Sequence, residues 1–234
     1  MRRYISIVLY SVFCILYSGV SPVFSAGVVK GDVKFAGAPP APEKINITKD
    51  TDVCGKKPKF KENLIVGKNK GLKNAIIFIE GAAKKTSPSK VAIKFEQDTC
   101  QFKPHVALIP LESKVDLYNN DGLMHNIHSF SIENESANFG QPGTMKIKTL
   151  GPELFKYPEI VPVRCDVHEW MSAFFIVTDN QYVAISDDAG SFKIPDVPAG
   201  TYKLKVWHET LGEQIKDITV KDGENKVAFE LKKK

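Results

Sequence analysis

Short apolar or alternating segments recur along the chain from residue 28 onward. They are rich in Val, Ile and aromatic residues and are separated by Gly, Pro, Asn and Asp, which is typical of β-strands joined by turns. Helical periodicity is almost absent. The predicted strands are residues 28–35, 74–80, 91–96, 106–111, 115–119, 127–132, 162–165, 173–178, 182–185, 191–194, 201–207, 215–220 and 227–231. The pattern predicts an all-β protein built from β-sandwiches.

The first 25 residues have a different pattern. Arg2 and Arg3 precede an apolar stretch, residues 5–20, that is interrupted by serines and is short for a membrane-spanning helix. Small residues around Ser25 fit a cleavage site, so we interpret residues 1–25 as a signal peptide. An uncleaved N-terminal anchor is the alternative. In both cases we expect the rest of the chain to be exported, to the periplasm or outside the cell. With residues 1–25 removed, we expect no stable membrane span in the mature chain.

Removing the signal peptide leaves 234 − 25 = 209 residues, enough for one or two compact domains. Changes in composition place soft boundaries near residues 85 and 180. They divide the mature chain into an N-terminal β-rich segment (26–85), a central domain (86–179) and a C-terminal β-domain (180–234).

The charge pattern excludes one class of partner. Loss of two arginines lowers the formal net charge from +5 to +3, and the remaining basic residues alternate with acidic ones. A nucleic-acid-binding protein would carry a basic patch or stripe. We therefore expect no nucleic-acid partner.

The cysteine count indicates chemistry. Cys14 leaves with the signal peptide, so the mature chain keeps Cys54, Cys100 and Cys165. In an oxidising compartment cysteines tend to pair, and an odd number leaves one that is protected, reactive or bound to a ligand.

The simplest pairing is a disulfide between Cys54 and Cys100, which would fasten the N-terminal region to the central domain. The alternative is a second metal site in which Cys100 and His105, with or without His128, bind an ion. His208 has no evident partner residues in its strand, and we expect it at the surface.

The segment CDVHEWM places three metal-ligating side chains within seven residues, directly after a predicted strand: Cys165, His168 and Met171. Thiolate, imidazole and thioether together suit copper in both oxidation states. A second imidazole comes from the segment HNIH, where His125 and His128 are both available. Residues three apart on a strand face opposite sides, so one of the two is expected to reach the metal, and strand alternation does not decide which.

The two segments resemble the cupredoxins, in particular the amicyanin and plastocyanin group of blue copper proteins. The match is carried by HNIH at 125–128 and CDVHEWM at 165–171, and it covers about residues 88–179. The resemblance implies a Greek-key β-sandwich that holds one copper ion, cycling between Cu(I) and Cu(II). The ligands that it implies are His125, Cys165, His168 and Met171.

The same resemblance implies that Asn126 ties the two ligand-bearing segments together by hydrogen bonds. Two positions depart from the related loops, which commonly have proline where Glu169 and Met124 stand here. A carboxylate near the copper would alter solvent access and reduction potential.

The last 50 residues or so resemble the carboxypeptidase regulatory-like, transthyretin-related domains, which implies a second, smaller β-sandwich. These domains are usually structural or binding modules. The unit is short for a complete domain, so we expect residues 27–35 to complete its sheet from the other end of the chain.

The cupredoxin resemblance implies an electron carrier rather than an enzyme, with redox proteins such as a c-type cytochrome or a periplasmic dehydrogenase as partners. Trp170 and Met171 would shield the metal and form an apolar docking patch. One alternative is a periplasmic copper carrier or sensor that uses the same ligands. A copper reductase would need an open coordination position, and a structural β-sandwich binding module would hold no metal.

Overall fold

The structure is a computed structural model that describes residues 26–82 and 85–233. The predicted signal peptide lies outside the described residues. The strands in this part of the chain are β1 (Ala26–Phe35), β2 (Ile76–Glu80), β3 (Ile93–Gln97), β4 (Phe102–Lys103), β5 (Val106–Pro110), β6 (Val115–Asn119), β7 (His125–Ser129), β8 (Asn138–Gln141), β9 (Ile147–Leu150), β10 (Glu159–Arg164), β11 (Ser172–Thr178), β12 (Val183–Ile185), β13 (Ser191–Pro198), β14 (Gly200–His208), β15 (Gly212–Val220) and β16 (Gly223–Leu231).

Helical structure is scarce. One short helix, α1, spans Thr51–Cys54, and two 3₁₀ turns span Lys68–Lys70 and Pro152–Leu154. Within the described ranges, no helix has the length and apolar character needed to cross a membrane. The prediction of an all-β protein is confirmed.

Strands β3 to β11 form the central sandwich. One of its sheets has the order β5-β11-β10-β7-β8 and the other has the order β4-β3-β6-β9. The alternating burial of β6 shows why the sheets pack face to face, since Val115, Leu117 and Asn119 point inward and the residues between them are partly exposed. Phe95 and Phe175 meet edge to face inside this core with ring centroids 4.9 Å apart.

Strands from both ends of the chain form the terminal sandwich. β1 lies between β13 and β16, antiparallel to the first and parallel to the second. The opposing sheet has the order β12-β2-β14-β15. Residues 27–35 pair with β16 along their whole length, so the segment before the central sandwich contributes one strand to each sheet of the terminal one.

The two sandwiches pack against each other, and their sheets form four layers. The outer face of the β5-β11-β10 region contacts the outer face of β12-β2-β14 through a mainly apolar cluster. Phe174 on β11 and Trp207 on β14 meet there with ring centroids 5.4 Å apart. Ile76, Val106 and Ile176 are buried in the same cluster, so both units share one continuous apolar interface.

Strands β4, β8 and β9 were not predicted from the sequence. They are two to four residues long, and each has a single buried residue. Alternation cannot be recognised in so short a segment, because one buried position does not define a period. Their strand conformation depends on pairing with β3, β7 and β6.

Residues 36–62, which we call the strap, follow β1 of the terminal sandwich but pack against the central one. Ile47 and Val53 contact the core of the central sandwich. A disulfide joins Cys54 of the strap to Cys100, with the Cα atoms 5.3 Å apart, which confirms the predicted pairing. Cys165 is the free cysteine among the described residues, and it is buried.

Candidate metal centre

The four predicted ligands lie on two paired strands and the loop that follows one of them. β7 begins at His125 and pairs antiparallel with β10, which ends one residue before Cys165. The loop from Cys165 to Met171 is closed by a hydrogen bond from the Cys165 amide to the Met171 carbonyl at 3.2 Å. Within it, the Met171 amide donates to the His168 carbonyl at 2.9 Å. This tight loop places His168 over the start of β7.

Three of the four ligand side chains converge. Nδ1 of His125 lies 3.0 Å from Nδ1 of His168. Ring nitrogens of both histidines and Sγ of Cys165 all lie within 4.8 Å of one another. The two imidazoles are fully buried, and Cys165 and Met171 are each 1% exposed. Met171 belongs to the same buried cluster as Cys165.

The outer nitrogen of each imidazole is bound by a carboxylate. His125 Nε2–H donates to Asp121 Oδ2 at 2.9 Å, and His168 Nε2–H donates to Asp50 Oδ2 at 2.8 Å. A hydrogen bond at one ring nitrogen determines which nitrogen can bind a metal. Both histidines therefore present Nδ1 to the space beside Cys165.

Asp121 is itself held in place. Its carboxylate accepts the backbone amides of Thr99 at 2.5 Å and of Cys100 at 2.8 Å. These bonds and His125 outweigh the effect of burial, so the pKa of the Asp121 carboxyl lies below its ordinary value. The sequence showed Asp121 only as a turn residue, although its position four residues before His125 was a signal that could have been used.

The Cys165 sulfur accepts two backbone hydrogen bonds, from the amides of Asn126 and His168, each at 3.4 Å. Burial by itself would raise the pKa of this thiol, but hydrogen bonds from His125, His168 and these amides lower the pKa to about 6. Burial disfavours the imidazolium of His125, yet Asp121 and Cys165 raise its pKa to about 9. The imidazole of His125 and the thiol of Cys165 thus each favour the charged form of the other.

This donor set fits a copper ion. Two neutral imidazole nitrogens and a thiolate, with a thioether in the same cluster, are the ligands that blue-copper sites use. Two Nδ1 atoms 3.0 Å apart cannot both keep a lone pair directed at the other without a proton or a cation between them. A shared proton accounts for this spacing, and a metal ion bound between the two nitrogens would replace that proton.

Asn126 joins the two ligand-bearing segments. Its Nδ2 donates to Asp166 Oδ2 at 2.9 Å and to Asn138 Oδ1 at 3.0 Å, and its Oδ1 accepts the Asp166 amide. Because Asp166 follows Cys165 directly, these bonds tie β7 and β8 to the ligand loop. This is the tether that the cupredoxin resemblance implied.

Of the two histidines in HNIH, the structure brings His125 to Cys165 and turns His128 away. His128 is half-buried on the other face of β7, where its Nδ1 lies 3.1 Å from Asp166 Oδ2 and its ring stacks on Phe130 with centroids 4.1 Å apart. Strand alternation thus separates the two residues as expected, and tertiary packing decides between them.

The alternative second metal site does not form among the described residues. Cys100 is in the disulfide, and His105 is occupied at both nitrogens. Its Nδ1 lies 3.0 Å from the Ser172 carbonyl and its Nε2 pairs with Glu209 of the terminal sandwich. His105 therefore links the two sandwiches.

Two expectations about exposure were wrong. His208 is 1% exposed, because it follows Leu204 and Val206 on the inward face of β14. Met171 is also too deeply buried to form part of an apolar docking patch. Trp170 is half-buried, and its indole donates to the Cys100 carbonyl at 3.0 Å.

Comparison with protein families gives a match over residues 156–228 to domain II of polysaccharide lyase family 4, a fibronectin type III-like domain. The match runs from the end of the central sandwich through most of the terminal one. It does not correspond to the carboxypeptidase regulatory-like resemblance, which stays a prediction. No curated protein matches the chain.

Several solved structures are similar to part of this chain at low identity. A Cu-containing nitrite reductase from Thermus scotoductus SA-01 has 16% identity and a TM-score of 0.32 over 42% of this chain and 26% of that chain. A purple cupredoxin from Nitrosopumilus maritimus has 16% identity and a TM-score of 0.29 over 36% of this chain and 97% of that one. A Cu(I) mutant of amicyanin has 14% identity and a TM-score of 0.32 over 43% and 96%.

This chain thus spans about a quarter of the nitrite reductase and nearly all of the two small copper proteins. At these TM-scores the likeness carries no conclusion about activity.

Proposed function

We propose that this protein is an exported mononuclear blue-copper protein that carries single electrons between redox proteins. The observation that supports this most strongly is the convergence of His125 Nδ1, His168 Nδ1 and Cys165 Sγ in one buried space. When bound, copper would supply a one-electron couple between Cu(II) and Cu(I).

The chain's own residues would keep the ligands in one geometry. Asp121 and Asp50 hold the imidazoles from outside, and two backbone amides hold the sulfur. Hydrogen bonds to ligating residues orient them and tune the metal. Ligands that are hydrogen-bonded and buried on strand ends move little when the charge of the centre changes, which is what an electron carrier requires.

Burial has a second effect on the ligand set. Each of the four side chains is at most 1% exposed, so water has little access to the space between them. A dry centre favours outer-sphere electron exchange over binding of a substrate to the metal, which would need an open position. This supports a carrier rather than a reductase.

The disulfide supports export. Disulfides form and persist in oxidising compartments, and the Cys54–Cys100 bridge lies beside the ligand loop. We therefore propose that the mature chain resides in the periplasm or outside the cell. Its partners on this proposal are redox proteins, such as a c-type cytochrome or a periplasmic dehydrogenase.

The test begins with the mature chain, the Cys165→Ser variant and the His128→Ala variant, each titrated with Cu(II). We expect one copper per chain and an intense visible thiolate-to-copper band in the wild type and in His128→Ala. In Cys165→Ser the band should be absent. Stoichiometric copper without this band in the wild type would contradict a blue-copper centre and favour copper carriage or sensing.

Electron transfer needs its own measurement. The copper-loaded wild type is mixed rapidly with a reduced c-type cytochrome, and both chromophores are followed. Bleaching of the copper band in step with cytochrome oxidation is the expected result. A copper band that is not bleached by the cytochrome or by a small reductant such as ascorbate would contradict an electron carrier.

A further inference from the structure

The strap supplies a carboxylate to the copper-site histidine on the ligand loop. Asp50 Oδ2 accepts the Nε2–H of His168 at 2.8 Å, although the two residues are 118 positions apart. The His168 side chain is fully buried, while that of Asp50 is 36% exposed. Asp50 thus closes the outer side of the imidazole and keeps part of its own carboxylate in water.

The backbone around Asp50 is arranged for this contact. Asp50 has φ 48° and ψ 44°, the left-handed conformation that residues other than glycine adopt at a cost in free energy. Its carbonyl accepts the amides of Val53 and Cys54, at 3.0 and 2.8 Å, which starts helix α1. The Asp50 side chain caps no amide of that helix. The carboxylate is therefore directed at His168 and not used for the local turn.

The disulfide anchors this arrangement. Cys54, at the end of α1, is bonded to Cys100. Both sulfurs and a ring nitrogen of His168 lie within 4.8 Å of one another, so the bridge packs directly beside the imidazole. Lys59 Nζ also donates to the Cys54 carbonyl. The bridge therefore holds the Cys54 end of α1 beside His168.

We propose that Asp50 is a positioning residue for the metal site. Its carboxylate holds the Nε2–H of His168, so that Nδ1 is the ligand, and its negative charge favours the more highly charged oxidised ion. This deepens the proposed function and rests on it. The ligand loop itself does not contain this group. The Asp50 carboxylate comes from the strap, which continues from β1 of the terminal sandwich and is fastened to Cys100 by the disulfide.

The test compares Asp50→Ala, which removes the hydrogen bond, with Asp50→Asn, which keeps an acceptor oxygen but removes the charge. Asp52→Ala is the matched control, because Asp52 is an exposed acidic residue of the same short helix. Thermal unfolding of each variant checks the fold. If Asp50→Ala does not fold, Asp50→Asn still tests the effect of charge.

The first measurement needs no copper. Nitrogen-15 NMR of the metal-free protein should show His168 with its proton on Nε2 in the wild type and in Asp52→Ala. In Asp50→Ala we expect a mixture of tautomers. A His168 spectrum that is the same in Asp50→Ala and in the wild type would overturn the proposal.

The second measurement is competition for Cu(II) with a chelator, together with the reduction potential. Loss of a carboxylate that orients a metal-binding histidine typically costs 10- to 100-fold in affinity, so we expect a loss of about that size in Asp50→Ala and less than about twofold in Asp52→Ala. If Cu(I) binding is unchanged, each tenfold loss of Cu(II) affinity raises the potential by about 59 mV. Asp50→Asn should lie between the two.

The outcomes separate the two proposals. A wild-type protein that binds no copper contradicts the proposed function. A wild-type protein with a blue-copper spectrum, whose affinity and potential are the same in Asp50→Ala and Asp52→Ala, leaves the proposed function intact and overturns the role of Asp50.

Discussion

Nδ1 of His125 and Nδ1 of His168 lie 3.0 Å apart, although the residues are 43 positions apart in the chain. Their outer nitrogens are bound to carboxylates, so the inner pair is directed at a single space beside the free thiol of Cys165. A pair of imidazoles held in this way is poorly placed for any purpose other than sharing a proton or binding a cation.

Replacing either histidine of HNIH distinguishes a ligand from a neighbour. His125→Ala should abolish the thiolate-to-copper band, because it removes one of the three converging donors. His128→Ala should keep the band and about the same copper affinity, since His128 lies on the opposite face of β7 beside Asp166. Visible absorption and electron paramagnetic resonance of both variants measure this. Loss of the band in both variants, with both chains folded, would contradict the assignment.

Asn126→Ala should lower the free energy of unfolding. The change removes three hydrogen bonds made by the Asn126 side chain, one of them donated by the part-buried Asp166 amide, and leaving a buried polar group unsatisfied costs about 1–3 kcal/mol. Denaturant unfolding gives the free energy, and copper release to a chelator should become faster because the ligand loop is less restrained. Asn138→Ala, which removes only one of these bonds, is the control and should have the smaller effect in both measurements.

Removing the disulfide with the double change Cys54→Ser and Cys100→Ser should destabilise the protein. A bridge between residues 46 positions apart stabilises by about 4 kcal/mol in the chain-entropy model. Denaturant unfolding of the variant and of the wild type, without reductant, measures the difference. The variant should also bind Cu(II) more weakly, since Asp50 is then held less firmly against His168. Unchanged stability would show that the strap is fixed by its packing alone.

His208 makes stability depend on pH. Burial and nearby His105 lower the pKa of His208 to about 4, against the opposing effects of Glu209 and of a hydrogen bond to the Lys73 carbonyl. In the unfolded chain its pKa is about 6.5, so between pH 6.5 and pH 4 the unfolded chain binds a proton that the folded chain does not. Stability therefore rises with pH in this window and is lost as the pH falls through it.

The expected loss from this residue between pH 7 and pH 5 is about 2 kcal/mol. His208→Asn keeps an acceptor near the Thr210 amide, to which His208 Nδ1 is bound at 3.2 Å, and removes the titration. Free energies of unfolding at the two pH values, compared between wild type and variant, isolate the contribution. An equal pH dependence in both proteins would mean that other groups carry it.

The sequence predicted features that depend on neighbours along the chain. Alternation and turn residues located most of the strands, and the odd cysteine count, in a chain predicted to be exported, predicted both the bridge and the free thiol. The segment from Cys165 to Met171 placed three candidate ligands in one loop, because a tight loop keeps residues that are close in sequence close in space.

Features that join distant segments were decided by the tertiary structure. β8 and β9 are too short to show a period and exist through their partners. The choice of His125 over His128 depends on which face of β7 lies toward the core of the central sandwich and Cys165, and both residues have the same local sequence signals. The stacking of the two sandwiches likewise depends on the outer faces of sheets that no single strand specifies.

Asp50 shows most clearly what the local sequence could not predict. Nothing in the local sequence distinguishes it from Asp52, two positions later, yet the carboxylate of Asp50 accepts a hydrogen bond from His168 while Asp52 is exposed on the next turn of the chain. The sequence by itself determined the all-β class, the chemistry of the donors and their order along the chain, because these follow from local periodicity and from side-chain type. Only the tertiary structure decided which carboxylates and which histidine meet at the centre, because those contacts form when the strap, β7 and the ligand loop pack together.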